Sequence, residues 1–531
     1  MSSTPRQTRA ASGIGGNPAR KRGRAGEPSQ VTVLGGALVA VAFLVPFRSR
    51  LAGPAGVMEE GFMLLLPHRV AHGEVMYRDF HYLWGPLGLW LPALVHSLFG
   101  WTLLVERITG QVYGAVFTFT VWWAARRWSE LAGVAAGAII AASANSGDLP
   151  IAAALALGAL CIVVGAAARG RSDRWSTHLF VAAGVLGGAV ALFRPEQIVG
   201  VVAALAVLSW GQGRRQLSVL VGLTMPMATF ALYALAAGVG HTFQDVVVSG
   251  FYVRSERQLP IPPRHSPSGL ILFLLVTGSA LAITAIGVRR IVTDREDVSG
   301  RLLTAVGLMS ICLLPEVVQR DDVGHMAIPL IAVAFLPAAI IDLSRDFRLS
   351  GGVVSVAAVT LVGATFAAGT RLTLLEPYLH PLVTVMHPPG NIMTVTNRGR
   401  SFVYPKAQGV AAAQVVAEVE SLTRSGQRLF VGPLDLRRTP YADNSIAVLL
   451  PQLTDSMSFP DMHPRVALDH MNRLAADVRA ADVLVLSDAY QNWDEPDQSR
   501  LYGSDAANEV VRSRFCTRGT FGPYTVLTRC H

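Results

Sequence analysis

The sequence predicts an α-helical polytopic membrane protein of about eleven transmembrane helices, followed by a C-terminal soluble α/β domain. Three observations predict it. First, 51% of the 531 residues are hydrophobic and 15% are charged, with a mean hydropathy of +0.41, too apolar and too long for one ordinary soluble domain. Second, apolar runs of near-spanning length recur from residue 31 to residue 370. Third, those runs stop after about residue 371, where short β-type runs alternate with helical patterns.

The chain opens on a basic segment. Arg6, Arg9, Arg20, Lys21, Arg22 and Arg24 crowd residues 1–30, a Gly/Ser/Pro-containing stretch with little to bury, so a disordered cytoplasmic tail is expected. Most other arginines flank apolar runs. The net charge of +9 therefore reads as topology rather than nucleic-acid binding, with anionic lipid as a further partner for the tail. Lys21 and Lys406 are the only lysines, and Ala, Gly and Val abound, as in proteins of GC-rich bacteria. The run Val31–Phe47 has no clear small-residue cleavage site and is followed by Arg48 and Arg50, the pattern of an uncleaved signal anchor in a plasma membrane.

Expected spans lie near 31–47, 103–124, 130–146, 149–168, 177–194, 197–211, 216–239, 268–288, 301–318, 326–342 and 351–370. The run Gly85–Phe99 is decided by the positive-inside rule. If it crossed the membrane, Arg169–Arg174, Arg214–Arg215, Arg289–Arg290 and Arg345–Arg348 would all face the exported side. As an amphipathic helix lying in the outer interface it leaves every one of those clusters cytoplasmic. Arg48 and Arg50 then stand on the exported side, against the rule. This divides the chain into the tail 1–30, a membrane domain 31–370 with its first exported loop at 48–102, and an exported domain 371–531.

The topology sorts the unusual polar residues onto one side: Glu59 and Glu60, His81, Asp148, Arg194 and Glu196, Asp245, Arg254 and Arg257, and the run Gln319, Arg320, Asp321, Asp322 and His325. Charge at span ends is costly unless it lines a wet cavity or is paired, so the set points to one chamber open outward. Ordinary loop positions are the other reading for any single member.

The stretch Met58–Pro86 places Glu59-Glu60-Gly61 before a helix, then GEVMYRDF (73–80) and WGP (84–86). It resembles the first exported loop of the GT-C superfamily of polytopic glycosyltransferases, in which Asp-Glu-Gly, GExxYxDF and YGP are usual. The resemblance continues in the arrangement of spans, in Arg194-Pro195-Glu196, in RQLPIPP (257–263) and in QRDDVGH (319–325), covering roughly 31–370. Within the superfamily the chain is most similar to bacterial RgtA/B/C/D-like and dolichyl-phosphate-mannose mannosyltransferase-like membrane proteins.

The resemblance implies transfer of a sugar, with inversion in most cases, from a polyprenyl-phosphate carrier to an envelope glycan, glycolipid or protein outside the cytoplasm. Such a reaction needs a general base for the acceptor hydroxyl and fixed cations for the departing lipid phosphate. Glu59 aligns with the superfamily's aspartate and so inherits the role of base, and Glu60 aligns with the glutamate that follows. A glutamate reaches one methylene further than aspartate. Either Glu60 holds the role, or the backbone compensates, or activity is lost. Two adjacent carboxylates also raise one pKa toward neutrality. A simple helix cap is the competing reading, since acids favour a helix N-terminus. For the phosphate, Arg320 and His325 come first, then Arg254, Arg257 and Arg194, because an arginine fork suits phosphate at every working pH; pairing of Arg320 with Asp321 or Asp322 competes. Asp79, His81, Tyr82 and Asp322 are expected to meet substrate.

No cofactor is expected. His68, His72 and His81 lie near the glutamates in sequence, but no HExxH-type spacing occurs, so no metal site is assigned. Some members of the superfamily use a divalent cation, and the resemblance leaves that open.

In the exported domain, strands are expected at 428–433, 482–487 and 524–529 and helices near 408–424, 464–480 and 505–514, giving an at least partly parallel sheet. Cys516 and Cys530 would close a short loop if paired, which suits an oxidising exterior, whereas Cys161 and Cys312 lie in spans as packing residues. The loops 432–444 and 490–499 carry Trp, Tyr, Asn, Asp and Arg, suited to gripping an acceptor sugar or simply to strand ends. No nucleotide fingerprint and no internal repeat appear, which disfavours a nucleotide-sugar donor. A flippase or transporter of lipid-linked glycans is the alternative of another class, as is a non-catalytic envelope-assembly scaffold; a transporter needs access from both sides, and this charge is one-sided.

Overall fold

The structure, a computed structural model, describes residues 30–143, 148–250, 267–319, 323–347, 350–371, 374–386, 390–437, 442–460, 471–489 and 504–530. The basic tail to residue 29 and the loop at 490–499 lie outside the described residues, as do Arg254, Arg257, Arg320 and Asp322.

Helix α1 (Gln30–Leu44) continues through a short break into α2 (Phe47–Ala52). The loop that follows folds into α3 (Glu59–Ala71) and α4 (Leu87–Phe99). The bundle then comprises α5 (Leu103–Ala125), α6 (Glu130–Ser143), α7 (Leu149–Arg169), α8 (Arg174–Phe193), α9 (Ile198–Ser209), α10 (Gly213–Ala237), α11 (Pro267–Thr293), α12 (Val298–Gln319), α13 (Leu330–Ser344) and α14 (Gly351–Gly369). All eleven expected spans are helices. Seven are long and apolar enough to cross a bilayer: α1 with α2, α7, α8, α10, α11, α12 and α14. Helices α6 and α9 are apolar but shorter, and α5 carries Glu106, Arg107 and Gln111 in its first turns.

Helix α4, the former ambiguity, has 13 residues, which at 1.5 Å each reach only about 20 Å, short of a hydrocarbon core. Its Leu89, Ala93 and His96 are buried, while Leu94, Leu98 and Phe99 are exposed, as suits a helix lying in an interface.

The apolar middle of helix α3 is buried on two sides. Phe62, Met63 and Leu66 pack with Met76, Tyr77, Phe80 and Tyr82 of the loop, while Leu64 and Leu65 join the core of the C-terminal domain.

That domain opens with an antiparallel hairpin, β1 (Ile392–Asn397) and β2 (Arg400–Pro405), turned by Arg398 and Gly399 at φ 46° and 79°. Helix α15 (Lys406–Leu422) leads to β3 (Arg428–Pro433), α16 (Asn444–Leu449), β4 (Thr454–Asp455), α17 (Met471–Ala480), β5 (Val483–Ser487), α18 (Ala506–Arg514), β6 (Phe515–Phe521) and β7 (Tyr524–Arg529). The five-stranded sheet runs β4-β3-β5-β7-β6, parallel between β4, β3 and β5 and antiparallel at β5–β7 and β7–β6. Cys516 and Cys530 form a disulfide that ties the paired strands β6 and β7; Cys161 and Cys312 are free. The expected strands stand, the first helix begins two residues earlier than expected, and the hairpin, β4 and β6 are additions.

Candidate active site at the lip of the bundle

The two opening glutamates have different fates. Both sit in the first turn of α3, where the helix dipole favours acids. Glu60 is buried and held bidentately by Arg107 of α5, with Nε to Oε1 at 2.7 Å and Nη2 to Oε2 at 3.0 Å. Its Oε2 also accepts the Gly56 N–H at 2.8 Å, and Arg107 spends Nη1 on the carbonyls of Leu51 and Gly53. Glu59, one residue earlier, is exposed. Next to Arg107, Glu106 is fully buried, and neither of its oxygens has a hydrogen-bond partner among the described residues.

The loop after α3 is a compact plug. Tyr77 adopts φ 69°, uncommon for an aromatic residue, and its N–H donates to the Phe80 carbonyl at 2.9 Å while its hydroxyl donates to the Trp84 carbonyl at 2.6 Å. Asp79, expected to meet substrate, is held within the loop: it accepts the Val75 N–H and pairs with Arg78, which lowers its carboxyl pKa. His81 and Tyr82, assigned the same role, are instead buried. The His81 ring nitrogen Nδ1 lies 2.9 Å from Asp245, which also accepts the Tyr82 N–H at 3.2 Å. The physical reason is that Phe80, His81 and Tyr82 are buried in succession, and the Asp245 carboxylate anchors the last two.

Gly85 shows why the WGP element needs its glycine. Its N–H donates to the Phe193 carbonyl at 3.1 Å, and a methyl group there would run into the Leu192 carbonyl oxygen. This approach lays Trp84 over Arg194, with the guanidinium carbon 5.3 Å from the ring centroid. Phe62 of α3 meets the same indole edge-on at 5.7 Å. One aromatic layer therefore connects the helix of the glutamates to Arg194.

Arg194 caps α8 and is buried. Its Nε lies 2.5 Å from Glu196 and its Nη2 2.6 Å from Glu316 of α12, leaving Nη1 without a partner among the described residues. Burial works against the charged guanidinium, but Glu196, Glu316 and Asp148 outweigh it and raise the pKa. Asp148, the N-cap of α7, accepts the Ile151 N–H at 3.0 Å and lies within electrostatic reach of Arg194, His325 and Glu196. His325 also reaches Glu316 electrostatically. Of the expected phosphate ligands, Arg194 and His325 are thus brought to one cluster. Glu316 and Arg107 were missed, and each had a signal: an ionisable residue inside an otherwise apolar run.

Two of this cluster's three acids are spent on Arg194. Among the described residues no three His, Cys, Asp or Glu side chains converge on a metal position.

No protein-family model matches the chain, and no curated protein matches it in sequence. Solved structures do. ArnT from Cupriavidus metallidurans bound to undecaprenyl phosphate matches 93% of this chain over 97% of its own, at 15% identity and a TM-score of 0.51. The same protein in the apo state matches 94% over 98%, at 14% identity and a TM-score of 0.52. What is shared at this identity is the fold: from its first helix to its C-terminal domain, this multi-pass membrane chain has the architecture seen in ArnT.

Proposed function

We propose that the chain is a GT-C-type glycosyltransferase that moves a sugar from a polyprenyl-phosphate carrier to a hydroxyl of an envelope glycan, glycolipid or protein on the exported face of a bacterial plasma membrane. The observation that supports it most is Arg194, a buried arginine oriented by two glutamates beneath the WGP loop, in a fold that in ArnT is seen with undecaprenyl phosphate.

In this reading Glu59 is the general base. It accepts the proton of the acceptor hydroxyl as that oxygen attacks the anomeric carbon. The bond from the anomeric carbon to the phosphate oxygen breaks with inversion, and its electron pair leaves on the lipid phosphate. Arg194, through Nη1, and His325 offer donors to that developing charge. A guanidinium already fixed by Glu196 and Glu316 needs no reorganisation when the charge appears. Glu60 takes a positioning role: locked on Arg107, it holds the first turn of α3 and so the Glu59 backbone.

The test is transfer from a panel of radiolabelled polyprenyl-phosphate sugars by the full chain in lipid nanodiscs. Glu59→Gln should lower transfer by about 10²- to 10⁴-fold while donor binding and thermal unfolding stay unchanged. Undiminished transfer by Glu59→Gln removes Glu59 from the chemistry. A well-folded protein that binds and consumes no donor with a broad acceptor extract removes the transferase reading.

A further inference from the structure

A second polar cluster lies away from Arg194, where α3 meets the exported domain. His68 of α3 and His72, its C-cap, lie with tilted rings 4.1 Å apart at their centroids, and His68 meets the Trp101 ring edge-on at 4.9 Å. His96 of α4 stacks on the same indole at 5.1 Å. Arg400 of β2 covers it at 5.8 Å and donates from Nη1 to the Trp101 carbonyl at 2.8 Å. Three histidines and an arginine thus gather around one tryptophan, and Arg400 forms no ion pair among the described residues. Burial, then the proximity of His72, Arg400 and His96, lowers the His68 pKa to about 4, so its imidazole is neutral at pH 7.

The cluster opens into a cavity of 260 Å³. One end is lined by His68, His72 and Arg400, and its walls include Leu64, Leu65, Val448 and Leu450. Glu74 and Asp455 also line it, and both are taken by Arg69, at 2.5 and 2.9 Å. Among the described residues Arg400, at the histidine end, is the lining cation without a carboxylate partner. Beside that end, α4 finishes with Leu98 and Phe99 exposed, the signature of a helix end lying among lipid.

We infer that this cavity binds the phosphate headgroup of a membrane amphiphile, with the phosphate on Arg400, His68 and His72 and the first carbons of the aliphatic part against the leucine wall. An arginine fork takes two phosphate oxygens, and the imidazoles supply further donors. The site is formed jointly by α3, β2 and α16 and stands independently of the transferase reading.

The test uses the full chain in phosphatidylcholine nanodiscs, with bound ligand counted by native mass spectrometry during titration with dioctanoyl phosphatidic acid. Retention of one molecule is expected, weakened about tenfold or more by Arg400→Gln and a few-fold by His72→Gln, with Arg400→Lys retaining most binding and Arg424→Gln, on the same domain, unchanged. Equal retention of neutral dioctanoylglycerol would overturn the inference, as would binding indifferent to both Arg400→Gln and His72→Gln in protein of wild-type thermal stability. Inorganic phosphate that displaces the lipid at equal concentration would overturn the lipid as occupant and point to a free phosphate instead.

Discussion

The two ends of the helical bundle handle buried arginine in opposite ways. At the end where α7 runs into α8, guanidinium groups stitch helix ends together. Arg169 donates to the Trp210 carbonyl and to Glu296, both at 2.8 Å; Arg290 donates to Oδ2 and to the carbonyl of Asp342, both at 2.7 Å; Arg301 donates to the Val207 carbonyl at 2.6 Å. Apart from the buried Arg169 Nε, which has no hydrogen-bond partner among the described residues, these donors close on acceptors within the protein. At the other end, Arg194 faces two carboxylates with a third nearby, and one of its nitrogens is left over. The lesson is that an arginine used on backbone carbonyls is architecture, whereas one oriented by acids and left with donors to spare is prepared for a ligand.

The largest test of that distinction lies beside it at the lip. Arg107 is a lip arginine used in the architectural manner, so Arg107→Ala should strip Glu60 of its partner and cost about 3–5 kcal/mol in stability, read by thermal or denaturant unfolding in detergent. A loss below 1 kcal/mol would place it with the ligand-directed group.

Arg194→Gln should behave in the converse way: glycosyl transfer falls by about 10²- to 10³-fold in a protein that still folds. A variant whose donor affinity and turnover are both intact would make Arg194 architectural as well.

Behind α3, the Asp443 carboxylate is a buried polar junction of the C-terminal domain. It accepts from the Ser445 hydroxyl, the Tyr524 hydroxyl and the Ser445 N–H, and the Tyr404 hydroxyl meets the Ser445 hydroxyl at 2.5 Å. Burial pushes its pKa up to about 6 against those hydrogen bonds. A carboxyl raised from 3.8 to about 6 on folding stabilises most below its unfolded value, and that contribution, about 3 kcal/mol, is lost as pH rises from about 4 through 6. Asp477, also pushed up to about 6 by burial, adds a loss in the same window. Asp443→Asn should therefore flatten, without abolishing, the decline of melting temperature between pH 4 and 6; an unchanged slope would show that Asp443 does not titrate there.

The smallest effect belongs to the architectural end. Glu296 is 71% exposed opposite a buried Arg169, so Glu296→Gln should cost about 0–1 kcal/mol and leave transfer at wild-type rate. Any loss of activity would connect the two ends in a way their contacts do not suggest.

Most of the fold was legible because its signals are local. Apolar runs became helices wherever they were read, and the run that the positive-inside rule assigns to the interface is a helix of 13 residues, α4. The hairpin β1–β2 was missed although Asn397-Arg398-Gly399 sits between two β-type runs; without a long apolar run on either side, its turn signal stood alone. The site was half legible. Its acids and arginines could be sorted to one face, but partnership could not be read across 47 residues from Glu60 to Arg107 or 122 from Arg194 to Glu316. His81 and Tyr82 misled for a related reason: polar atoms on aromatic rings look like ligands in a sequence, and burial is decided by a carboxylate 163 positions away.

Helix α3 has a consequence for the birth of the protein. It emerges from the ribosome early, yet Gly61 has room only for the backbone of α16, where a methyl group would stand 2.6 Å from the Ser445 nitrogen, and the Ser445 N–H donates to the Val57 carbonyl. That partner is synthesised roughly 370 residues later. At about 5–20 residues per second, the leucines of α3 wait on the order of 20–75 s for their cover. Throughout that interval the nascent loop must be sheltered by the membrane surface or by a chaperone, and substitutions that make α3 stickier should reduce yield long before they touch the finished protein.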